Sequence, residues 1–149
     1  MSRPPAAGRL AHPLLRASDA RVVGVGVDLV AIAEIEASIG RRGGSLLART
    51  FTAGEIGYCQ ARRHPAQHFA ARIAAKEAAF KAAGTGWSGG VDWRDAEVCA
   101  VWGRRPELLV GGVLLARAAA LGIRRWHVSL THTGGYAAAI VVACTEEPP

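Results

Sequence analysis

From Phe69 to Ala83 the chain reads FAARIAAKEAAFKAA, fifteen residues without glycine or proline, and Gly84 follows. Eight of the fifteen are alanine, the best helix former, and glycine is the residue most often found just past a helix C-terminus. The stretch predicts a helix over 69–83 around which the rest of the chain must pack. Both of the chain's lysines, Lys76 and Lys81, lie on it, in a chain with sixteen arginines. On a helix, Glu77 and Lys81 share a face while Lys76 points about a quarter-turn away. Lys76 therefore reads as a solvated cation or one that touches a partner. An isolated E-x-x-x-K is ordinarily a surface pair worth a few tenths of a kcal/mol. Two features argue for more here. Lysine is a compact point charge suited to phosphate, whereas arginine presents a planar fork. The pair also precedes GTG, where Gly84 and Gly86 let the backbone approach a ligand and Thr85 offers a hydroxyl.

Upstream, Val22 to Val30 (VVGVGVDLV) reads as a strand, with Val23, Val25, Val27 and Leu29 on one face. Gly24, Gly26 and Asp28 share the other, so the acid sits on the face the glycines leave open. Ala31 to Ile39 predicts a short helix stopped by Gly40. Thr52 and Glu55 in FTAGE form a capping-box pattern that opens another helix. AEVCAVW and ELLV, joined across GRRP, predict one hairpin, and Val113 to Leu121 a helix ended by Gly122. WHVSLTH and YAAAIVVAC, joined at TGG, predict a second hairpin that closes the sheet. This order implies an α+β domain with a largely antiparallel sheet and helices packed on it. Residues 1–20 read as a disordered extension, 21–145 as one domain and 146–149 as a tail.

The 149-residue chain carries a formal charge of +6, which favours acidic or phosphorylated partners. Three cysteines without C-x-x-C spacing suggest neither a disulfide framework nor a zinc site, and fit a reduced, cytoplasmic setting. The longest apolar run, Ala137 to Cys144, is too short to cross a bilayer, so no membrane association is expected.

Glycines that follow a helix cannot form a phosphate-binding P-loop, in which the anion meets a helix N-terminus. A phosphate near GTG faces the repelling end of the dipole and needs countercharge from Lys81, Arg72 or a metal. One carboxylate from a strand, Asp28, and one from a helix, Glu77, make a sparse oxygen site of the kind magnesium shares with substrate phosphates. Asp28 alone also reads as a turn acid ending a strand. His132 at the end of its strand is more often a structural hydrogen-bonder than a catalyst. No nucleophile elbow surrounds Ser129, so a serine hydrolase is set aside. A magnesium-dependent nuclease is an alternative, although such sites usually place E-x-K on a strand. A basic nucleic-acid-binding module is another, but arginines are scattered and only 6% of residues are aromatic.

Taken together, GVGVDLV, FTAGE, RIAAKEAAFKAAGTG and HVSLTHTGGYAAAIVVA resemble the holo-acyl-carrier-protein synthases, the short 4′-phosphopantetheinyl transferases. The resemblance runs from about Val22 to Ala143. It implies that Asp28 and Glu77 bind magnesium and that Lys81 faces the pyrophosphate of coenzyme A. It further implies that Arg72, Gly84, Thr85, Gly86, His132 and Thr133 line the coenzyme A site. Glu77, directly or through a water, is the expected route for the proton of a carrier-protein serine. The implied partner is an acidic apo acyl carrier protein, and the implied assembly is a homotrimer with sites at subunit boundaries. Two positions depart from the family pattern. Glu34 stands where a basic residue is usual, leaving Arg41, Arg42, Arg49 and Arg62 as substitutes for carrier recognition. Ile73 stands where phenylalanine is usual, which reads as a repacked core.

Overall fold

The computed structural model describes residues 21–86, 89–100 and 103–146. The segment 1–20 and residues 147–149 of the tail lie outside the described residues, as do Val101 and Trp102 of the first expected hairpin. The elements run β1 (Val22–Ala31), α1 (Ile32–Thr50), α2 (Ala53–Gln60), α3 (Pro65–Ala82), a 3₁₀ turn (Trp93–Asp95), β2 (Ala96–Cys99), β3 (Glu107–Val110), α4 (Gly112–Ala120), β4 (Arg125–Thr133) and β5 (Tyr136–Cys144).

The α+β class with antiparallel pairing holds, but the strands form two sheets rather than one. Among the described residues β1, β5 and β4 make a three-stranded sheet in that order, and β2 pairs with β3 in a second sheet. The β4–β5 connection is the two-residue turn Gly134–Gly135, with φ of 56° and 88°. Two consecutive positive φ values match the twist of the flanking strands and favour glycine at both places.

Helix α3 lies across one face of the three-stranded sheet, alanine against alanine. Ala74, Ala75, Ala78, Ala79 and Ala82 meet Ala139, Val141 and Ala143 in one buried cluster. The face of β1 carrying Gly24 and Gly26 is thus not open, as expected, but pressed on α3. A methyl group at Gly24 would lie 1.9 Å from the Ala82 carbonyl oxygen, and one at Gly26 1.8 Å from that of Ala78. No side chain fits there, so the backbones of strand and helix are in direct contact. The alternation of β1 breaks at its start: Val22 pairs with Cys144 and Gly24 with Ala143, leaving Val23 as a bulge. Val23 therefore packs on the core, while Val25, Val27 and Leu29 face outward, 55–65% exposed.

The predicted stop at Gly40 fails. Helix α1 continues to Thr50, interrupted only at Gly43, whose φ of 54° and ψ of −139° kink it. An exposed glycine lowers helix stability by about 1 kcal/mol, too little to end a helix whose apolar face is packed. Ile35, Ile39 and Leu47 supply that face, against Phe51 and Phe69.

Candidate active site

The capping box at α2 is present: Thr52 Oγ1 accepts from Glu55 N, and Glu55 Oε2 accepts from Thr52 N. Glu55 does more than cap. It is buried, its Oε1 accepts from Val98 N at 3.0 Å, and its Oε2 lies 2.8 Å from Lys76 Nζ. Lys76 is also fully buried and donates to the carbonyls of Trp93 and Ala96. The expectation of a solvated or partner-facing Lys76 is overturned: its ammonium joins α3 to α2 and β2. Burial lowers its pKa, and Glu55 opposes that shift.

Lys81 is placed differently from Lys76. Half exposed, it lies on the side of α3 that meets β1, and its Nζ donates to Asp28 Oδ1 at 2.7 Å and to Val27 O at 3.0 Å. An ammonium has three donors, so one N–H remains for a ligand. Glu77 stands one turn before Lys81 on the same face. Its pKa is raised, first by burial and then by the neighbouring Asp28 carboxylate, with Lys81 pulling it back. The structure thus brings Asp28, Glu77 and Lys81 together. Gly84 and Gly86 continue from the end of α3, exposed and with φ of 67° and 51°. The hydroxyl hydrogen of Thr85 is committed to Phe80 O at 3.1 Å.

Arg72 and His132 are placed elsewhere. Arg72 precedes Lys81 by nine residues, two and a half turns, and so points from the opposite side of α3. His132 is on β4, and β5 separates that strand from the β1 strand of Asp28. Arg72 and His132 both line a cavity of about 250 Å³. Arg72 is 2% exposed, its Cζ lies 4.1 Å from the centre of the Tyr58 ring, its guanidinium bears on the Cys59 thiol, and its Nε and Nη2 have no hydrogen-bond partner among the described residues. Such buried, unpaired guanidinium nitrogens favour an anion. Thr133 follows His132 and, by strand alternation, belongs to the outer face of the sheet. His68, Tyr58 and Arg104 line the same cavity without having been singled out in the sequence. The His68-x-x-x-Arg72 spacing, the same turn that joins Glu77 to Lys81, was the available signal.

A groove of about 320 Å³ opens beside Glu77, lined by Ile35, Ile39, Leu46, Phe51, Ile73 and Trp93. It shares Arg42, Leu46 and Trp93 with a second cavity of about 460 Å³ that also carries Arg49 and Arg94. Together they form a trough that is apolar near Glu77 and net cationic at its far end, where Arg42 and Arg49 join Arg94, itself paired with Asp92 at 3.2 Å. Arg41 and Arg62 lie off it: Arg41 contacts Ser38 and Arg62 stacks over Tyr58. Glu34 is exposed in the first turn of α1, where an acid suits the helix dipole. Ile73 packs against the Phe51 and Phe69 cluster and also walls the groove one turn before Glu77.

A model of the 4′-phosphopantetheinyl transferase superfamily matches residues 24–141. The chain is 46% identical over 121 residues to the holo-[acyl-carrier-protein] synthase of Koribacter versatilis, covering 81% of this chain and 97% of that protein. It is 47% identical over 124 residues to that of Frankia casuarinae, covering 83% and 98%. Among solved structures, the Neisseria meningitidis holo-[acyl-carrier-protein] synthase superposes with a TM-score of 0.74 at 30% identity, covering 83% of this chain and 98% of that one. The Helicobacter pylori holo-[acyl-carrier-protein] synthase in complex with coenzyme A gives 0.70 at 26% identity, covering 80% and 98%.

Proposed function

The chain belongs to the 4′-phosphopantetheinyl transferase superfamily, among the holo-[acyl-carrier-protein] synthases, and we infer that it moves the 4′-phosphopantetheine arm of coenzyme A onto a serine of an apo acyl carrier protein. The serine Oγ forms a bond to the arm-bearing phosphorus, the P–O bond to the nucleotide breaks, and adenosine 3′,5′-bisphosphate leaves. The observation that carries this reading is the meeting of Asp28, Glu77 and Lys81 on the sheet-facing side of α3. Burial and Asp28 make Glu77 a stronger base than a free carboxylate, suited to taking the serine proton. The remaining N–H of Lys81 is a preorganised cation for the pyrophosphate.

The donor set fits magnesium. Among the described residues no cluster of three or more histidine, cysteine or acidic side chains forms a metal cage. Asp28 and Glu77 alone leave coordination positions for phosphate and water oxygens, as magnesium prefers. Bound there, magnesium would offset the charge that grows on the pyrophosphate.

One chain holds the two halves of a coenzyme A site on opposite sides of α3, and a homotrimer would rejoin them. Val25, Val27, Leu29, Tyr136 and Ile140 form an outward apolar sheet face, each 44–65% exposed, and contiguous exposed apolar patches mark interaction sites. We place a second copy on this face, so that Asp28, Glu77 and Lys81 of one protomer meet Arg72, His132 and Thr133 of the next. The acidic carrier is placed along the trough, with its serine toward Glu77 and its acidic side chains toward Arg42, Arg49 and Arg94. Among the described residues no helix is long and apolar enough to cross a membrane. The free thiols of Cys59, Cys99 and Cys144 fit the cytoplasm. Incubation with apo carrier, coenzyme A and magnesium, followed by intact-mass measurement, tests the assignment: the carrier should gain one phosphopantetheine arm. A carrier of unchanged mass would overturn it.

A further inference from the structure

We propose that His68 is a further phosphate-binding residue, one that lets the enzyme recognise the 3′-phosphomonoester of coenzyme A and discriminate against substrates lacking it. The proposal rests on the transferase reading above. Coenzyme A carries two separate anionic groups. Its pyrophosphate contains the bond that breaks and belongs with Asp28, Glu77 and Lys81. The monoester needs a site of a different kind, with cations and no competing carboxylate. The cavity at Arg72 is of that kind: Arg72, Arg104, His68 and His132 line it, and no acidic side chain does so among the described residues.

The His68 ring is held in this cavity by two ring contacts and by Gln67, whose Nε2 lies 3.5 Å from the imidazole Nε2. The ring meets Tyr58 of α2 edge-on at 6.0 Å between centroids and His132 of β4 at 5.9 Å. Arg72 Nη1 donates to the His68 carbonyl at 3.4 Å, tying the arginine to the turn that carries the imidazole. The Nε and Nη2 of Arg72, without a hydrogen-bond partner among the described residues, supply the independent sign that an anion belongs here. An anion reaching them enters the cavity that both imidazoles line.

This arrangement couples binding to a proton. Burial, and then the charges of Arg72, His132, Arg62 and His64, lower the His68 pKa, which favours the neutral ring in the free protein. Arg104 adds another positive charge at the cavity wall. A dianionic phosphate opposes all of these and draws a proton onto the ring. Coenzyme A binding then takes up a proton and weakens as pH rises, whereas binding of dephospho-coenzyme A, which lacks the 3′-phosphate, does not.

The test compares kcat/KM for coenzyme A and dephospho-coenzyme A across pH 6 to 8 in the wild type, His68→Gln and His68→Leu, with thermal melts to verify folding. The wild-type ratio should fall as pH rises. Both variants should lower the ratio on the order of tenfold, the scale of one hydrogen bond to a charged group, and flatten its pH dependence. Should His68→Leu unfold, the Gln variant decides. Equal losses on both substrates, or an unchanged ratio and profile, would overturn the role of His68 while leaving the transferase reading intact. Failure of the wild type to transfer from either substrate would overturn both.

Discussion

Lys76 Nζ and Glu55 Oε2 lie 2.8 Å apart with both side chains fully buried, and the same ammonium reaches the carbonyls of Trp93 and Ala96. Breaking such a pair leaves a charge stranded in the interior, which costs about 3–5 kcal/mol. Lys76→Met should therefore destabilise the fold by about that amount in denaturant titrations. Adding Glu55→Gln should recover part of the loss by neutralising the stranded carboxylate. A single variant as stable as the wild type would remove the pair from any account of the fold.

At the active site, Asp28→Ala should abolish transfer in the intact-mass assay, and chelation of divalent metal should do the same until magnesium is restored. Glu77→Gln should lower kcat by about 10²–10⁴, the range of a lost general base. If Glu77→Gln turned over normally while Asp28→Ala did not, Glu77 would keep no role as base.

Carrier docking along the trough gives a charge test. Arg42→Glu and Arg49→Glu should each lower kcat/KM for the carrier on the order of tenfold at low salt, with the defect shrinking as salt is added. Glu34→Arg should tighten binding of an acidic carrier. Initial rates read the first effect and isothermal titration the second, each at two ionic strengths, and indifference of the carrier to all three changes would move docking to another surface.

Assembly on the outer sheet face predicts that Val27→Arg yields a folded monomer in analytical ultracentrifugation and loses transfer with it. A monomer that retained full transfer would mean that one chain holds a whole site.

Cys59 supplies a pH dependence of stability. Burial is the main cause that raises its thiol pKa from 9.0 to about 11, so the unfolded chain ionises first. Its contribution is complete below pH 9 and declines as pH rises from there to about 11. Cys59→Ala should be less stable than the wild type at neutral pH because of the cavity it leaves. Its melting temperature should then fall less steeply above pH 9; parallel curves would assign the alkaline decline to other groups.

The parts of this molecule that were legible in its sequence are those whose cause is local. Alanine content marks α3, the Thr52–Glu55 spacing marks the cap of α2, and TGG marks the β4–β5 turn. The Glu77–Lys81 spacing, read with the upstream aspartate, put the carboxylates and the lysine in one set, which the structure brings together. What was not legible depends on partners distant in sequence. Lys76 reads as a surface cation until Glu55, twenty-one residues upstream, is seen to share its burial. Gly40 reads as a helix stop because the packing of Ile39 and Leu47 that carries α1 past it is tertiary. The split into two sheets was hidden for the same reason, since strand propensity does not say which hairpin pairs with which. His68 shows its neighbours only once β4 is laid beside the start of α3.

The bare backbone contact of β1 with α3 at Gly24 and Gly26 acts as a gauge for the chemistry. Aspartate has one methylene between its backbone and its carboxylate, a short reach, so Asp28 meets a lysine on the helix only because nothing props the two backbones apart. A single added carbon at either glycine would wedge the strand outward and carry Asp28 away from Glu77 and Lys81 without touching any of the three. The span between Asp28 and the helix that carries Glu77 and Lys81 is therefore set by two absent side chains, at positions outside that trio.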